Sequence, residues 1–116
     1  MKFKVDSGLE LVASEWGDAN DPLVILMHGG GQTRHAWGST GEILSKSGFY
    51  VLSLDLRGHG DSQWHPDGDY LIESYKGDLV SILNQVGKPA SLVGASLGGM
   101  VSLSLASDLN KKDLVS

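Results

Sequence analysis

Short runs of apolar residues separated by glycine-rich turns form the main pattern along this chain. Two of these runs, Phe3 to Val5 and Leu9 to Trp16, flank the turn signal Asp6-Ser7-Gly8 and predict two short strands. The unbroken apolar run Leu23 to Met27 is typical of a strand covered on both faces, as in a parallel sheet. Phe49 to Leu54 predicts a further buried strand.

Two segments between and after these strands have the features of helices. The first extends from about Ala36 to Lys46 and stops before Gly48, a residue type that often ends a helix. In the second, Ile72 to Val86, apolar residues recur at helical spacing until Gly87 ends the pattern. We therefore expect one helix before the Phe49 strand and one after it.

The last part of the chain repeats this alternation. Ser91 to Ala95 predicts another strand, and the helix after it extends to about Ser107. From Leu23 onward, strands and helices alternate, which implies parallel strands joined by right-handed crossovers. Asp108 to Ser116 turns apolar at its end and resembles the approach to another strand. We predict a single α/β domain over residues 1–116 with a mostly parallel sheet and flanking helices.

Composition narrows the class of protein. A hydrophobic content of 41% with 16 glycines fits a globular α/β domain, and the lack of cysteine excludes disulfides and thiolate metal sites. The net charge of −5 argues against sequence-independent binding to nucleic acid. The N-terminal residues lack the apolar core of a signal peptide, and no apolar run is long enough to span a bilayer. We expect a cytoplasmic protein that binds neither nucleic acid nor membrane.

The segment Gly94-Ala95-Ser96-Leu97-Gly98 is the most informative motif. It joins a predicted strand to a predicted helix, the setting in which Gly-x-Ser-x-Gly raises a serine hydroxyl on a sharp turn. Ser96 would then be a nucleophile, and the backbone N–H groups at the start of the helix would face the developing charge. The alternative is a tight strand–helix turn that happens to contain serine.

A nucleotide-binding interpretation of the same segment is also open. Gly94-x-Ser96-x-x-Gly99 resembles the dinucleotide fingerprint with its second glycine replaced, but a serine there would obstruct the approach to a pyrophosphate. An acidic residue is expected roughly 20 positions further on, where Asp113 is the nearest. Gly29 to Thr33 does not complete a phosphate-binding loop either, because the Gly-Lys-Ser/Thr ending is absent.

The glycine triplet after the Leu23 strand predicts a second element of the site. In the functional interpretation, Gly30 donates its backbone N–H beside that of Leu97, with Gly31 as the alternative donor of an oxyanion hole. A simple flexible loop is the other interpretation. We expect His28 and Gly29 to order this loop through hydrogen bonds, with His28 not acting as the base.

The loop that follows the Phe49 strand carries charged residues and two further histidines. A catalytic interpretation would use Asp55 or His59, whereas the interpretation we favour is a charged turn that Asp55 and Arg57 order through Asp–Arg hydrogen bonds. Several side chains in this loop are potential metal ligands, but their spacing matches no recognised site, so we predict no metal. These side chains are His59, Asp61, His65 and Asp67.

A serine nucleophile needs a base, and the chain order bears on where that base is found. A sharp strand–helix turn that carries the serine is called a nucleophile elbow. In folds that use such an elbow, the catalytic residues follow the chain order serine, then acid, then histidine. All four histidines of this chain precede Ser96 instead; they are His28, His35, His59 and His65. We therefore expect the acid and the histidine to be absent from this chain.

These motifs resemble those of a known superfamily. From about Leu9 to its last residue the chain is similar to the α/β-hydrolases, most of all to the esterase, lipase and peroxidase-like branch. Epoxide hydrolases and haloalkane dehalogenases of this superfamily typically have aspartate where this chain has Ser96. Three motifs carry the resemblance: His28-Gly29-Gly30-Gly31, Asp55-x-Arg57-Gly58-x-Gly60-x-Ser62 and Gly94-x-Ser96-x-Gly98-Gly99.

The resemblance implies a serine hydrolase that acts on an ester or related acyl compound and uses no cofactor. It also implies an eight-stranded sheet, so that this chain would be an α/β-hydrolase fold truncated after about the fifth strand and third helix. We then expect very weak activity, and self-association or binding to a complementing C-terminal half, because an interior strand would be left with an open edge. A non-catalytic small-molecule-binding or interaction module on the same scaffold is the alternative.

Overall fold

A five-stranded mixed sheet with helices on both faces forms the molecule. The computed structural model describes all of residues 1–116. The strands are β1 (Lys2–Lys4), β2 (Glu10–Trp16), β3 (Leu23–Met27), β4 (Tyr50–Leu54) and β5 (Ala90–Gly94). Their order across the sheet is β1-β2-β4-β3-β5, in which β3 pairs in parallel with β4 and β5, and β2 pairs antiparallel with β1 and β4. The predicted α/β class and mostly parallel inner sheet are confirmed.

Three α-helices connect or follow the inner strands. They are α1 (Gly38–Lys46), α2 (Ile72–Val86) and α3 (Leu97–Ala106). Helix α2 has the predicted bounds and ends at Gly87, whose φ of +82° is the left-handed conformation that favours glycine at this position. No helix is both long and apolar enough to cross a bilayer.

The first helix differs from its prediction at its N-terminal end. A 3-10 turn, Arg34–Trp37, precedes α1, so that regular helix begins two residues after Ala36. The Thr33 side chain accepts a hydrogen bond from the His35 N–H, and the Ser53 hydroxyl donates to the Arg34 carbonyl at 2.8 Å. These bonds hold the backbone in the tighter turn before the α-helix starts.

The core is divided by the sheet into a large and a small cluster. On one face, alternate residues of β3 and β4 pack against α2 and α3 in a cluster of 19 buried residues. On the other face, Val24, Leu26 and Val51 form a smaller cluster with the partly buried Trp16 and Trp37. All five residues of β3 and all five of β4 are buried, which explains their unbroken apolar runs.

Strand β5 lies at one side of the sheet and is less covered than β3. Val93 is 37% exposed, and on α3 the side chains of Met100 and Leu103 are 55% and 71% exposed. Val115 forms an isolated parallel bridge with Ala90 on the outer edge of β5, and the Ser116 N–H donates to the Ala90 carbonyl at 2.9 Å. The residues predicted to approach another strand therefore contact the outer edge of β5.

Candidate active site

Ser96 stands on a strained corner between β5 and α3. Its φ of +53° and ψ of −109° make it the only non-glycine residue of the chain with a positive φ. Such conformations persist where the surrounding structure imposes them, and they cluster at functional sites. The side chain is exposed and its hydroxyl makes no hydrogen bond within the chain. The serine is thus presented to solvent at a corner that the backbone holds under strain.

The two glycines of the motif are needed because backbones touch here without side chains between them. A Cβ on Gly98 would lie 2.7 Å from the Met27 carbonyl carbon, and a Cβ on Gly94 would lie 2.5 Å from the Gly99 nitrogen. Real Cβ atoms essentially never approach other atoms so closely. The Gly98 N–H also donates to the His28 carbonyl at 3.2 Å, which joins the elbow to the end of β3.

Two backbone N–H groups near this corner have no partner in the chain. Leu97 is the first residue of α3, so its N–H lies outside the intrahelical ladder and makes no other bond. In the glycine triplet, the Gly29 N–H donates to the Gln32 Oε1 at 3.0 Å and the Gly31 N–H donates to the His59 Nε2 at 3.0 Å. The Gly30 N–H is left without a partner. Gly31, the alternative donor in the sequence analysis, is engaged in this structure.

His28 is buried and uses both of its ring nitrogens. Its Nδ1 donates to the Gly29 carbonyl at 2.7 Å, and its Nε2 accepts the Leu56 N–H at 3.1 Å. Burial lowers the pKa of His28; the Gly29 hydrogen bond opposes that effect, the nearby His59 adds to it and Asp55 opposes it, with a net lowering. The imidazole is therefore neutral and ties the glycine triplet to the loop after β4.

Asp55 organises that loop from its buried position at the end of β4. Its carboxylate accepts the N–H of Arg34 at 2.7 Å and of Asp61 at 2.9 Å, and it pairs with the Arg34 guanidinium. Burial raises the pKa of Asp55, but these hydrogen bonds and the Arg34 charge outweigh it, so the pKa is lowered overall. The loop has the Asp–Arg hydrogen bonds that the sequence predicted, with Arg34 as the partner of Asp55. The Arg57 guanidinium bonds Asp78 of α2 through two 2.7 Å hydrogen bonds. That partner matches the two-pronged donor geometry of arginine.

Two of the histidines in this loop also form hydrogen bonds within the loop. His59 donates through Nδ1 to the Arg57 carbonyl at 3.0 Å, and the His65 Nδ1 accepts the N–H groups of Asp67 and Asp69 at 3.2 Å. No group of three or more His, Asp or Glu side chains converges on a common point. None of the surface clefts is lined by Ser96, so the serine faces open solvent.

Sequence reasoning missed Arg34 and Gln32, which hold the loops around the elbow. Arg34 bonds Asp55, Asp61 and the Ser14 hydroxyl, three partners that lie far from it in sequence. Gln32 caps the Gly29 N–H from within the same turn. The sequence carried no periodic signal for either residue: the Arg34 contacts depend on how the loops fold over the sheet, and the Gln32 contact lies within one irregular turn.

Comparisons of the sequence and the structure with known proteins show which family this chain resembles. A sequence model of the alpha/beta hydrolase fold family matches residues 22–116. An esterase from Mycobacterium tuberculosis is 38% identical over 95 residues, which cover 81% of this chain and 30% of the esterase. A mouse sn-1-specific diacylglycerol lipase is 37% identical over 101 residues, which cover 85% of this chain and 32% of the lipase.

Solved structures agree with these relatives. The enol-lactonase from Burkholderia xenovorans superimposes with a TM-score of 0.90 at 31% identity, covering 100% of this chain and 44% of the lactonase. Epoxide hydrolases also stand among the matching relatives and structures. The chain spans about a third of the length of the esterase and lipase that it matches.

Replacing Ser96 with glycine should stabilise the fold while removing the hydroxyl. Glycine adopts a positive φ without strain, so we expect Ser96→Gly to raise the free energy of unfolding by about 1 kcal/mol. Ser96→Ala retains the Cβ and its strain and should change that free energy by less than about 0.5 kcal/mol. Urea unfolding of the three proteins measures both. A glycine variant no more stable than the alanine variant would contradict strain at this corner.

The neutral, buried His28 should make stability fall in mild acid. The unfolded His28 titrates near pH 6.5 and the folded one lower, so between these values only the unfolded chain binds the proton. The free energy of unfolding should therefore decrease as the pH falls below 6.5. Urea unfolding at about pH 7.5 and about pH 5.5 measures the decrease.

Two variants isolate the contribution of His28. His28→Gln should be less stable than the parent at both pH values but should lose part of the pH dependence. His35 is exposed and its side chain makes no hydrogen bond, so His35→Gln should retain the full dependence. Equal pH dependence in the parent and in His28→Gln would show that His28 does not carry this effect.

Proposed function

The chain belongs to the α/β-hydrolase fold family, and we propose that it carries the nucleophile and the oxyanion-binding part of a serine hydrolase. The observation that carries this proposal is the exposed, unpartnered hydroxyl of Ser96 on a strained corner. Two unpartnered N–H groups, those of Leu97 and Gly30, belong to the segments that meet at this corner. Strain and free donors together are what a nucleophile elbow requires.

The proposed reaction is acyl transfer through the Ser96 oxygen. Ser96 Oγ forms a bond to the substrate carbonyl carbon, and the carbonyl electron pair moves onto its oxygen, where the Leu97 and Gly30 N–H groups stabilise the charge. A base takes the hydroxyl proton and returns it to the departing alcohol oxygen as the intermediate collapses. Water then attacks the acyl-serine by the same route and releases the acid.

The substrate class we propose is an ester or related acyl compound. The relatives include an esterase and a diacylglycerol lipase, and a structural neighbour is an enol-lactonase, whose names all refer to acyl–oxygen bonds. Epoxide hydrolases are also relatives. Those enzymes typically use an aspartate nucleophile, so the serine at position 96 favours acyl chemistry for this chain.

We propose further that the base and its acid come from polypeptide corresponding to the remainder of the relatives. Both ring nitrogens of His28 and of His59 are engaged, and no side chain bonds the Ser96 hydroxyl. The parallel bridge between Val115 and Ala90 indicates where such a segment would add to β5. Apolar residues on such a segment would cover the exposed side chains of α3. A complementing C-terminal half is thus the partner we propose.

A non-catalytic role is the second candidate. The same absence of a base beside Ser96 favours it, because the scaffold and the free N–H groups would still bind a carbonyl or carboxylate oxygen. The two candidates differ in whether Ser96 becomes covalently modified.

Covalent labelling with an external base tests the catalytic proposal. We expect a fluorophosphonate probe to label Ser96 slowly in this chain, because no base activates the hydroxyl. Added imidazole should accelerate the labelling by supplying that base. Mass spectrometry locates the label, and turnover of p-nitrophenyl acetate should stay far below that of an enzyme with a complete triad.

Two serine variants control for this experiment. Ser96→Ala should abolish the label, whereas Ser104→Ala on the same helix should leave it unchanged. Binding of a small carboxylate without any labelling of Ser96 would support the non-catalytic role. Efficient ester turnover that Ser96→Ala abolishes would contradict the expected weak activity.

Without its partner, the chain should self-associate through β5 and α3. Unpaired N–H and C=O groups on β5, beside the exposed Met100 and Leu103, favour pairing between copies. Sedimentation across a range of concentrations should show reversible growth in mass. Leu103→Lys, at a position 71% exposed, should reduce it, whereas Ile43→Lys on the opposite helix α1 should not. A clean monomer at every concentration would contradict this surface.

A further inference from the structure

We propose that His59 is a positioning residue whose neutral Nε2 fixes the glycine triplet and so leaves Gly30 N–H as its one free donor. The effect of His59 on catalysis rests on the proposed function, but the hydrogen bond between His59 and Gly31 does not. It assigns a role to a histidine that takes no part in the proposed proton transfer. It also separates Gly30 from Gly31 as the oxyanion donor.

Two histidines link the same two loops in opposite directions. His28, at the end of β3, reaches across to accept the Leu56 N–H, whereas His59 reaches back to accept the Gly31 N–H. Their rings lie against each other, with centroids 4.8 Å apart and planes tilted by 51°. Each imidazole thus joins the glycine triplet to the loop after β4, and each supports the other ring.

The hydrogen bonds of His59 define its protonation state. Nε2 can accept the Gly31 N–H only if it carries no proton, so the single ring proton lies on Nδ1 and is donated to the Arg57 carbonyl. A second proton would turn Nε2 into a donor facing another donor, and the bond to Gly31 would be lost. The contact therefore holds the triplet only while the ring is neutral.

Of the three backbone N–H groups in the glycine triplet, only that of Gly30 has no hydrogen-bond partner. On one side of it, Gly29 donates its N–H to the Gln32 side chain; on the other, Gly31 donates to His59. Gly31 has a φ of +78°, a conformation that glycine adopts without strain and that the His59 bond helps to hold. Loss of the bond to His59 would leave the Gly31 N–H as a second free donor and would hold the Gly30 N–H less firmly in its orientation.

The charged side chains around this contact are paired with one another. His28 is the titratable group packed on the His59 ring. On its own loop, Asp55 and Asp61 are both paired with Arg34 of the 3-10 turn, while Arg57 is paired with Asp78 of α2. No unpaired carboxylate therefore bonds the His59 ring.

Hydrogen–deuterium exchange at single-residue resolution tests the contact without requiring activity or a monomer. Fragmentation mass spectrometry of the full chain at neutral pH should show the Gly31 amide exchanging about fivefold more slowly than that of Gly30, as one added hydrogen bond implies. His59→Leu should remove this difference. His59→Gln, whose side-chain oxygen can accept the same N–H, should restore it and keep it in acid, where the parent loses it.

Controls separate this role from general stability and from catalysis. His35→Leu, at an exposed position, should leave the Gly30 and Gly31 rates unchanged. If His59→Leu also increases amide exchange in β3 and β4, this variant has partly unfolded. The proposal is then tested by whether His59→Gln keeps the difference between the Gly30 and Gly31 exchange rates in acid while the parent loses it. Equal exchange at Gly30 and Gly31 in the parent, or acid behaviour that His59→Gln does not alter, would overturn the proposal.

A second readout ties the contact to the chemistry. In imidazole-assisted labelling of Ser96, His59→Leu should lower the labelling rate several-fold while His59→Gln retains it. Absence of any Ser96 labelling in the parent, with the exchange difference intact, would refute the proposed function and leave the role of His59 in the loop standing. Labelling that proceeds equally in all three proteins would instead refute the link between His59 and the oxyanion donor.

Discussion

The close contact between the start of α3 and the end of β3 is the constraint on which the rest of the site depends. Gly98 lies directly against the Met27 carbonyl, and Gly94 lies against the same turn of helix. Because no side chain separates these backbones, the chain has to turn from β5 into α3 within two residues, and that turn forces Ser96 to a positive φ. Backbone bonds to Met27 and His28 then secure the strained corner.

Two buried polar side chains, His28 and Asp55, lie at the carboxyl ends of the parallel strands. His28 follows β3, Asp55 follows β4 and Ser96 follows β5, so these three residues lie at the carboxyl ends of three parallel neighbours. This is where open α/β sheets generally bind ligands. The two buried groups are satisfied by loop amides and by Arg34, and this leaves the loops rigid around the one exposed hydroxyl. The parallel topology therefore brings these residues to one end of the sheet, and burial and hydrogen bonding hold His28 and Asp55 in place there.

Local pattern and turn chemistry were enough to predict most of the fold and the position of the elbow. The apolar run of β3 and the helical spacing of α2 are set by burial against one sheet, and burial leaves a periodic trace in sequence. The partners of Asp55 and Arg57 leave no such trace. Arg34 and Asp78 reach them only after the chain has folded, so residue type predicted Asp–Arg hydrogen bonds without identifying the partners.

The hydrogen bonds of the two central histidines explain why neither is placed to act as the base of the proposed reaction. A general base in a serine hydrolase needs a neutral imidazole whose Nε2 is free to accept the serine proton. In both His28 and His59, however, Nε2 already accepts a hydrogen bond from a backbone N–H. Freeing either ring for catalysis would release the glycine triplet that carries the oxyanion donor. In the proposed reaction, charge stabilisation and proton transfer would therefore fall to different residues, and the loops that hold the Gly30 N–H form without a base beside Ser96.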